Sequence, residues 1–172
     1  MNVRPLEDDD RAWLRGVLRD GWGGEMMVGA GRPFSPAEHD GFVAGERAID
    51  RAIEREGVLT YRIDAGACEI TMIESFDPGR GIGSALLRAV VDAARAAGAD
   101  RVWLVTTNDN LRARAWYERR GFRVTAVREG AVDDARARWK PSIPSWNEET
   151  GLPIRDEIEM VLPLDDGDLG PG

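Results

Sequence analysis

Three glycines stand at alternate positions, Gly79, Gly81 and Gly83, directly before a stretch in which apolar residues have helical spacing. Glycine tolerates positive φ angles and lets a ligand approach the main chain closely. The N–H groups of such a loop and of the first helical turn bind anions. Arg80 adds a positive charge and Ser84 a hydroxyl. The loop therefore predicts a phosphate or pyrophosphate site, although a tight turn between a strand and a helix accounts for the glycines equally well.

Two common nucleotide-binding loops do not fit this segment. A Walker loop requires Gly-Lys-Ser/Thr, and that sequence is absent here. A Rossmann fingerprint requires Gly or Ala where this chain has Ser84. The preceding segment is also more polar than a first Rossmann strand, because it contains Glu69, Thr71 and Glu74. Both alternatives are therefore excluded.

The loop has to be positioned by a strand before it and a helix after it. Ile82, Leu86, Val90 and Ala94 mark one helical face, and Gly98 ends that helix. The other predicted elements are an edge strand at 2–6, a helix ended by Gly21, a loop at 21–31, a helical turn at 35–38, strands at 41–44, 58–63, 68–76, 101–107, 122–127 and 154–162, helices at 110–120 and 131–139, and a loop at 140–153. This order predicts an α/β protein with a mixed sheet and helices on both faces.

Residues 46–56 fit two structures. Ala48, Ile49, Ala52 and Ile53 have the spacing of an amphipathic helix, whereas strands are predicted on both sides of the segment. We expect a helical or irregular insertion here.

Length, charge and cysteine content restrict the class of protein. The chain has 172 residues, which predicts one domain over 1–164 and a disordered tail over 165–172. The formal charge of −8 argues against nucleic acid as a partner, and the chain lacks the run of about 18 apolar residues that would cross a membrane. The single cysteine, Cys68, excludes an internal disulfide and CxxC zinc sites, and the acidic first ten residues do not resemble a secretory signal. We therefore expect a cytoplasmic protein.

A second motif follows the glycine loop. Asn110, Ala113, Tyr117, Gly121 and Phe122 have the spacing Asn-x-x-Ala-x-x-x-Tyr-x-x-x-Gly-Phe. Together with the loop, this motif resembles the GNAT superfamily of N-acetyltransferases, which carries Arg/Gln-x-x-Gly-x-Gly/Ala at a strand-to-helix junction. The resemblance covers residues 68–127 well and implies that the central sheet is mixed and mostly antiparallel.

The resemblance implies acetyl-CoA as the co-substrate and gives roles to individual residues. The pyrophosphate is expected at Gly79, Arg80, Gly81, Ile82, Gly83 and Ser84, the pantetheine arm along the main chain of Met72, Ile73 and Glu74, and a further contact at Asn110. Tyr117 is expected to protonate the departing thiolate, although a packed tyrosine between helix and sheet would look the same, and Asn110 also suits a helix N-cap. The chain departs from the signature at Pro78, where Arg or Gln is usual, and this removes one side-chain contact.

Two acids on the strand before the loop are candidates for the general base. Glu69 is the first candidate and Glu74 the second, with a solvated strand edge as the alternative for both. Their spacing of five residues predicts that they point to opposite faces of the sheet. We expect His39 to be a surface residue, and Trp22 and Trp146 either to line an acceptor pocket or to anchor loops.

Together, these features predict an acyltransferase that moves an acetyl group from acetyl-CoA to a primary amine without a metal. A lysine-like amine has a pKa of about 10.4, so the site needs a base or a water relay. The alternatives are another acyl-CoA donor, or a non-catalytic acyl-CoA-binding sensor or partner domain. The sequence leaves the acceptor open among protein N-termini, lysines, polyamines, antibiotics and other small amines, and it leaves open whether the chain forms a homodimer.

Overall fold

A computed structural model describes residues 1–47 and 53–164 of the chain. The strands are β1 (Asn2–Pro5), β2 (Met27–Gly29), β3 (Arg32–Phe34), β4 (Asp40–Arg47), β5 (Ile53–Asp64), β6 (Ala67–Ser75), β7 (Arg101–Thr107), β8 (Arg123–Arg128), β9 (Trp146–Asn147), β10 (Leu152–Pro153) and β11 (Glu157–Pro163). The helices are α1 (Asp8–Gly21), α2 (Ile82–Ala96), α3 (Leu111–Glu118) and α4 (Ala131–Arg138), and a 3-10 turn spans Pro36–Glu38. Within these described ranges, every helix is too short or too polar to cross a membrane.

Seven strands form one sheet in the order β1-β4-β5-β6-β7-β11-β8. Neighbouring strands in this sheet pair antiparallel, except that β6 and β7 run parallel. The helix α2 lies between them in the chain and provides the crossover that a parallel pair requires. The predicted mixed, mostly antiparallel sheet is therefore confirmed.

Helices cover both faces of this sheet. On one face, α2 buries a row of aliphatic side chains against the strands: Ile82, Leu86, Leu87, Val90, Val91 and Ala94. On the other face, Leu14 and Leu18 of α1 pack against Val43, Val58 and Met72. Consecutive residues of a strand point to opposite faces. Val43 and Val58 therefore pack in the α1 layer, while the residues next to them in the chain point towards the α2 layer. The predicted arrangement of helices on both faces is confirmed.

The prediction of a helical or irregular insertion at 46–56 is wrong for the part of this segment that the structure describes. β4 continues to Arg47 and β5 begins at Ile53, with Glu46 paired to Glu54. Residues 48–52 lie outside the described residues, as do the predicted tail residues 165–172. In the described part of the segment, the main-chain groups are satisfied through the neighbouring strand, which the spacing of side chains along the chain does not reveal.

Three smaller differences concern loops and strand ends. The predicted loop at 21–31 contains β2, which pairs with β3. The predicted loop at 140–153 contains the two-residue strands β9 and β10, which pair with each other. The last strand of the large sheet begins at Glu157 instead of residue 154.

The parallel ladder between β6 and β7 is short. It joins Ala67 to Arg101, Cys68 to Val102 and Glu69 to Trp103, and then stops. β5 remains paired with β6 as far as Ser75. From Ile70 to Ser75, β6 therefore has a strand partner on one side only within the described chain, and its other edge keeps main-chain groups available to a ligand.

A β-bulge at Thr71 interrupts the alternation of side chains along β6. Tyr61 pairs with Ile70 and Thr60 pairs with Met72, which leaves Thr71 as the additional residue. An additional residue moves every later side chain of the strand to the other face.

The bulge overturns the predicted orientation of the two acids. Glu69 pairs with Arg62 and Glu74 pairs with Val58, and these two partners lie four residues apart on β5. An even spacing places both acids on the face that α1 covers, so the prediction of opposite faces is wrong. Ile73, next to Glu74 in the strand, packs against the α2 layer on the other face.

A buried carboxylate joins β1, α1 and β5. Asp10 is 1% exposed and accepts hydrogen bonds from Arg4 Nη2 at 3.0 Å, Arg55 Nε at 2.8 Å and the main-chain N–H of Glu7 at 2.9 Å. Burial alone would raise the pKa of Asp10, but the hydrogen bonds from Arg4, Glu7 and Arg55 outweigh it and lower the pKa from 3.8 to about 2. This cluster fixes the helix α1 on the sheet.

We predict that Asp10→Asn destabilises the protein by about 3 kcal/mol, because it removes the charge that two guanidinium groups surround. For a chain of this length, that corresponds to a fall in Tm of roughly 6–12 °C. Because the pKa of Asp10 is lower in the folded state than in the unfolded state, its charge stabilises the fold above pH 3.8. This stabilisation is lost as the pH falls towards 2. Thermal unfolding between pH 2 and 7 measures both effects.

Asp9→Asn is the matched control, because Asp9 is the exposed neighbour on the same helical turn. It should change Tm by a small fraction of the Asp10→Asn effect. Equal losses for the two variants would contradict a special role for the buried carboxylate.

Candidate active site

A cleft of about 590 Å³ opens where β6 and β7 cease to pair. It is bounded by the end of β6, the loop that follows, the start of α2 and one side of α3. The lining residues are Ile73, Glu74, Ser75, Pro78, Gly79, Gly81, Ile82, Gly83, Ser84, Asn110, Arg112, Ala113, Trp116, Tyr117 and Arg120. The two sequence motifs, separated by a helix and a strand in the chain, therefore meet across one cavity.

The glycine loop forms one end of the cleft. Gly81 is the N-cap of α2 with φ of 78°, and Gly79 has φ of 94°, a region that residues with a side chain rarely adopt. No side chain caps the N-terminus of α2, so the first N–H groups of the helix remain available to an anion. A Cβ at Gly83 would lie 3.1 Å from the Trp116 ring, so a larger residue there would need a small shift of that ring. The loop has the form of an anion site.

Arg80 does not take the predicted position. Its guanidinium contacts Glu56 and lies 3.2 Å from Asp77 Oδ2, and Arg80 is not among the residues that line the cleft. The main chain at this position remains part of the loop. The Arg80 side chain is thus paired with two carboxylates, and a contact of its main chain with the coenzyme stays a prediction.

Arg120 is a cleft residue that the sequence analysis missed. Its Nη2 donates to Ser84 Oγ at 2.8 Å, its Nη1 donates to the carbonyl of Trp116 at 3.0 Å, and its Cζ lies 3.7 Å from the centre of the Trp116 ring. Arg112, an exposed residue at the start of α3, also lines the cavity. The spacing of four residues between Trp116 and Arg120 is the signal that could have identified the stack.

The free edge of β6 forms the wall next to the loop. Ile73, Glu74 and Ser75 line the cleft, whereas the Met72 side chain is 3% exposed and packs in the α1 layer. Only the main chain of Met72 is therefore near the predicted ligand path. This agrees with a contact through main-chain groups of the strand.

Asn110 and Tyr117 come from α3 on the opposite wall. Asn110 caps the helix, since its Oδ1 accepts from the Ala113 N–H at 3.3 Å, and it lines the cleft as well. Tyr117 is 6% exposed, and burial raises the pKa of its hydroxyl. Among the described residues, that hydroxyl has no hydrogen-bond partner, while its ring packs edge-on against Trp116 and Phe122. A protonated phenol thus reaches the cavity.

Glu74 connects the cleft to the α1 side of the sheet. It lines the cavity, and the Trp22 side chain lies near its carboxylate. Burial raises the pKa of Glu74, an effect that the neighbouring Trp22 side chain partly offsets. Trp22 is itself held by Lys140, whose Nζ donates to the Trp22 carbonyl at 2.6 Å. Trp22 is not among the residues that line the cleft, and its contact with Lys140 joins two loops; whether it lines an acceptor pocket stays a prediction.

Glu69 lies elsewhere. Its carboxylate accepts from Arg62 Nε at 2.5 Å and from Arg32 Nη2 at 3.0 Å, and it lines a separate cavity of about 290 Å³. Its partner on β7 is Trp103, within the closed part of the sheet. Burial raises the pKa of Glu69, and Arg62 partly offsets this. The structure does not bring Glu69 together with Tyr117.

The remaining aromatic and histidine candidates occupy different places. His39 is half-buried, not a surface residue as expected, and its Nδ1 lies 2.9 Å from Thr71 Oγ1 while its ring stacks on Phe34. Burial lowers the pKa of His39. Trp146 on β9 is 53% exposed and lies outside the cleft. Across residues 1–47 and 53–164, no cluster of His, Cys, Asp and Glu could hold a metal ion.

Comparison with known proteins agrees with this geometry. The model of the acetyltransferase (GNAT) family matches residues 65–122, the span from the end of β5 to the end of the second motif. The uncharacterized protein YdhI of Bacillus subtilis is 42% identical over 96% of this chain and 99% of its own length. The chain belongs to the GNAT acetyltransferase family. The predicted family and the predicted class of enzyme, an acyltransferase, are confirmed.

Solved structures share the fold across nearly the whole chain. The ribosomal-protein-S18-alanine N-acetyltransferase of Escherichia coli superposes with a TM-score of 0.65 at 16% identity and covers 99% of this chain and 98% of its own. A GNAT acetyltransferase of Elizabethkingia anophelis, solved with acetyl-CoA bound, gives a TM-score of 0.62 at 20% identity over 95% and 97% of the two chains. At these identities, the likeness concerns the fold.

We predict that acetyl-CoA raises Tm and that Gly81→Val abolishes most of this increase. At 100 times its Kd, a ligand stabilises the native state by about 2.7 kcal/mol, which is roughly 5–10 °C for a chain of this length. Valine at φ of 78° would strain the loop and shift the N–H groups that face the cleft. Thermal shift measurements with and without acetyl-CoA test the prediction.

Gly130→Val is the matched control. Gly130 is also a helix N-cap, with φ of 71°, and it lies outside the cleft. This variant should lose similar intrinsic stability and still gain the full increase from acetyl-CoA. An undiminished increase in Gly81→Val would place the coenzyme elsewhere.

Proposed function

We propose that this enzyme transfers the acetyl group of acetyl-CoA to a primary amine by direct attack. The observation that carries the proposal is the meeting of three features in one cleft: an uncapped helix N-terminus, an open strand edge and a buried tyrosine. Each feature fits one part of an acyl-CoA thioester. The family assignment and the neighbour with acetyl-CoA bound support the choice of donor.

The coenzyme is expected to lie along the cleft with its diphosphate at the glycine loop. Main-chain N–H groups of Gly81, Gly83 and Ser84 would stabilise the negative charge, as helix N-termini do. The amide groups of the pantetheine arm would pair with the free edge of β6 at Ile73, in the manner of an added strand, and Asn110 would contact the arm from α3. This arrangement brings the thioester towards Tyr117.

The reaction needs three groups around the thioester carbonyl. The neutral amine nitrogen attacks the carbonyl carbon, and a main-chain N–H near Ile73 stabilises the oxyanion that forms. The C–S bond then breaks, the C–N bond remains, and the Tyr117 hydroxyl gives its proton to the thiolate. Burial favours the protonated form of Tyr117, which is the form that a general acid needs at neutral pH.

The structure favours Glu74 over Glu69 as the group that accepts the proton of the amine. Glu74 lines the cleft, whereas Glu69 is paired with Arg62 and Arg32 in a different cavity. The raised pKa of Glu74 also makes it a stronger base than an ordinary carboxylate. We therefore assign the proton-accepting role to Glu74, directly or through a water, and a structural role to Glu69.

A thiol-release screen tests the proposed reaction and narrows the acceptor. Acetyl-CoA should release free CoA in the presence of at least one class among peptides with free N-termini, lysine peptides, polyamines, aminoglycosides and small amines. Mass spectrometry should find a gain of one acetyl group on the nitrogen of the active acceptor. Propionyl-CoA and longer thioesters in the same screen test the alternative of another acyl donor. Binding of acetyl-CoA without turnover in any class would contradict the proposal and favour a binding module.

We predict that Tyr117→Phe lowers kcat by about 10²- to 10⁴-fold, because the ring remains and the acid is removed. The Kd for acetyl-CoA should change little. Tyr61→Phe is the matched control, since Tyr61 is the other tyrosine of the chain and packs against Phe42, away from the cleft. Full activity of Tyr117→Phe would assign the protonation of the thiolate to another group.

We predict that Glu74→Gln removes the acidic limb from the pH profile of kcat/KM. A carboxylate acts as a base only above its pKa, and burial raises that of Glu74 above the ordinary 4.5. The limb of the parent enzyme should therefore lie above pH 4.5, with activity rising as the pH increases through it. Initial rates between pH 4 and 9 provide the measurement.

Glu69→Gln is the comparison variant for the base. It should keep the limb and lose stability instead, since it leaves Arg62 and Arg32 without their charged partner. If Glu69→Gln loses the limb while Glu74→Gln keeps it, the two roles are reversed.

A further inference from the structure

The glycine loop offers no cationic side chain to a diphosphate. Pro78 occupies the signature position where the family usually has Arg or Gln. Arg80, the cation within the loop, is directed to Glu56 and Asp77. Main-chain N–H groups and the Ser84 hydroxyl remain, and these carry no formal charge. A diphosphate with two negative charges would therefore need its countercharge from another element.

Arg120 is placed to supply that charge from the end of α3. It reaches Ser84, the third residue of α2, through a hydrogen bond of 2.8 Å, and it lines the cleft. Within the described residues its hydrogen-bond partners are a hydroxyl and a carbonyl, and it forms no ion pair with a carboxylate. Other arginines of this acidic protein do pair, as Arg128 does with Glu157.

The surroundings of Arg120 favour an incoming anion. Burial lowers the pKa of Arg120, and the neighbouring charge of Arg119 lowers it further. A partly buried guanidinium without a countercharge is unfavourable, and a phosphate oxygen at this point would relieve the cost. Among the described residues that line the cleft, the one acid is Glu74, which lies on β6 and not in the glycine loop.

The side chain is also held in one orientation before any ligand arrives. Its guanidinium lies over the Trp116 ring at 3.7 Å, and Trp116 in turn packs on Gly83 at the start of α2. Stacking on an aromatic face and fixed hydrogen bonds reduce the entropy that an arginine loses on binding a phosphate.

We infer that Arg120 binds the diphosphate of the coenzyme and replaces the side chain that Pro78 does not provide. The inference rests on the proposed use of acetyl-CoA. The cation of the site thus comes from the turn that follows α3, and not from the loop itself. The 3′-phosphate of CoA is the other anion of the same chemistry, and the experiment separates the two.

The test measures Kd for CoA and for dephospho-CoA, which lacks only the 3′-phosphate, by calorimetry on the wild-type chain and on Arg120→Gln. Loss of one charged hydrogen-bond partner should raise the Kd of both ligands by the same factor, about 10- to 100-fold. Arg119→Gln is the matched control, because Arg119 is the exposed neighbour outside the cleft, and it should weaken binding less than about fivefold.

Two results would overturn the inference. The first is that Arg120→Gln weakens the binding of CoA and leaves that of dephospho-CoA unchanged, which would assign Arg120 to the 3′-phosphate. The second is that Arg120→Gln weakens binding no more than Arg119→Gln does. Arg120→Lys is a second variant in case Arg120→Gln does not fold, since it keeps the positive charge. It should bind CoA more tightly than Arg120→Gln does. Equally weak binding by the two variants would show that the charge of Arg120 is not the cause. If the wild-type chain binds neither ligand, the proposed function fails as well; if it binds both normally, only the role of Arg120 is at stake.

Discussion

The early end of the parallel ladder between β6 and β7 is the constraint on which the site depends. Three residue pairs hold the two strands together, and beyond Glu69 and Trp103 the pairing stops. A sheet that stayed closed to Ser75 would bury the strand edge and leave no cavity between β6 and α3. The cleft, the access to Tyr117 and the exposure of the α2 N-terminus all follow from that interruption.

The bulge at Thr71 adds a second consequence to the open edge. It turns Glu74 towards the α1 side, near Trp22, while the neighbouring Ile73 packs on the α2 side. The two faces of the sheet therefore contribute different chemistry at the opening: a carboxylate from one, a phenol and an anion site from the other. A regular strand would have turned Glu74 to the α2 side, where the phenol lies.

The sequence predicted the features that depend on local spacing. The turn into α2 requires glycine at positive φ, and the helix that follows has its apolar face at regular intervals, so both were visible in the residues themselves. The features that the sequence did not predict depend on partners far along the chain. Pairing between β4 and β5 determines the structure at 46–47 and 53–56, the bulge has no local marker, and the Arg80 side chain contacts Glu56, which lies 24 residues earlier in the chain.

The same interruption gives the cleft two chemically different parts. The sheet is closed at Glu69 and open at Ser75, so a free strand edge lines one part of the cleft, and the loop with the uncapped N-terminus of α2 lines another. Strand-edge groups pair with an extended uncharged arm, whereas helix N–H groups attract an anion. A ligand that carries both is therefore oriented by the main chain itself, before any side chain distinguishes one ligand from another.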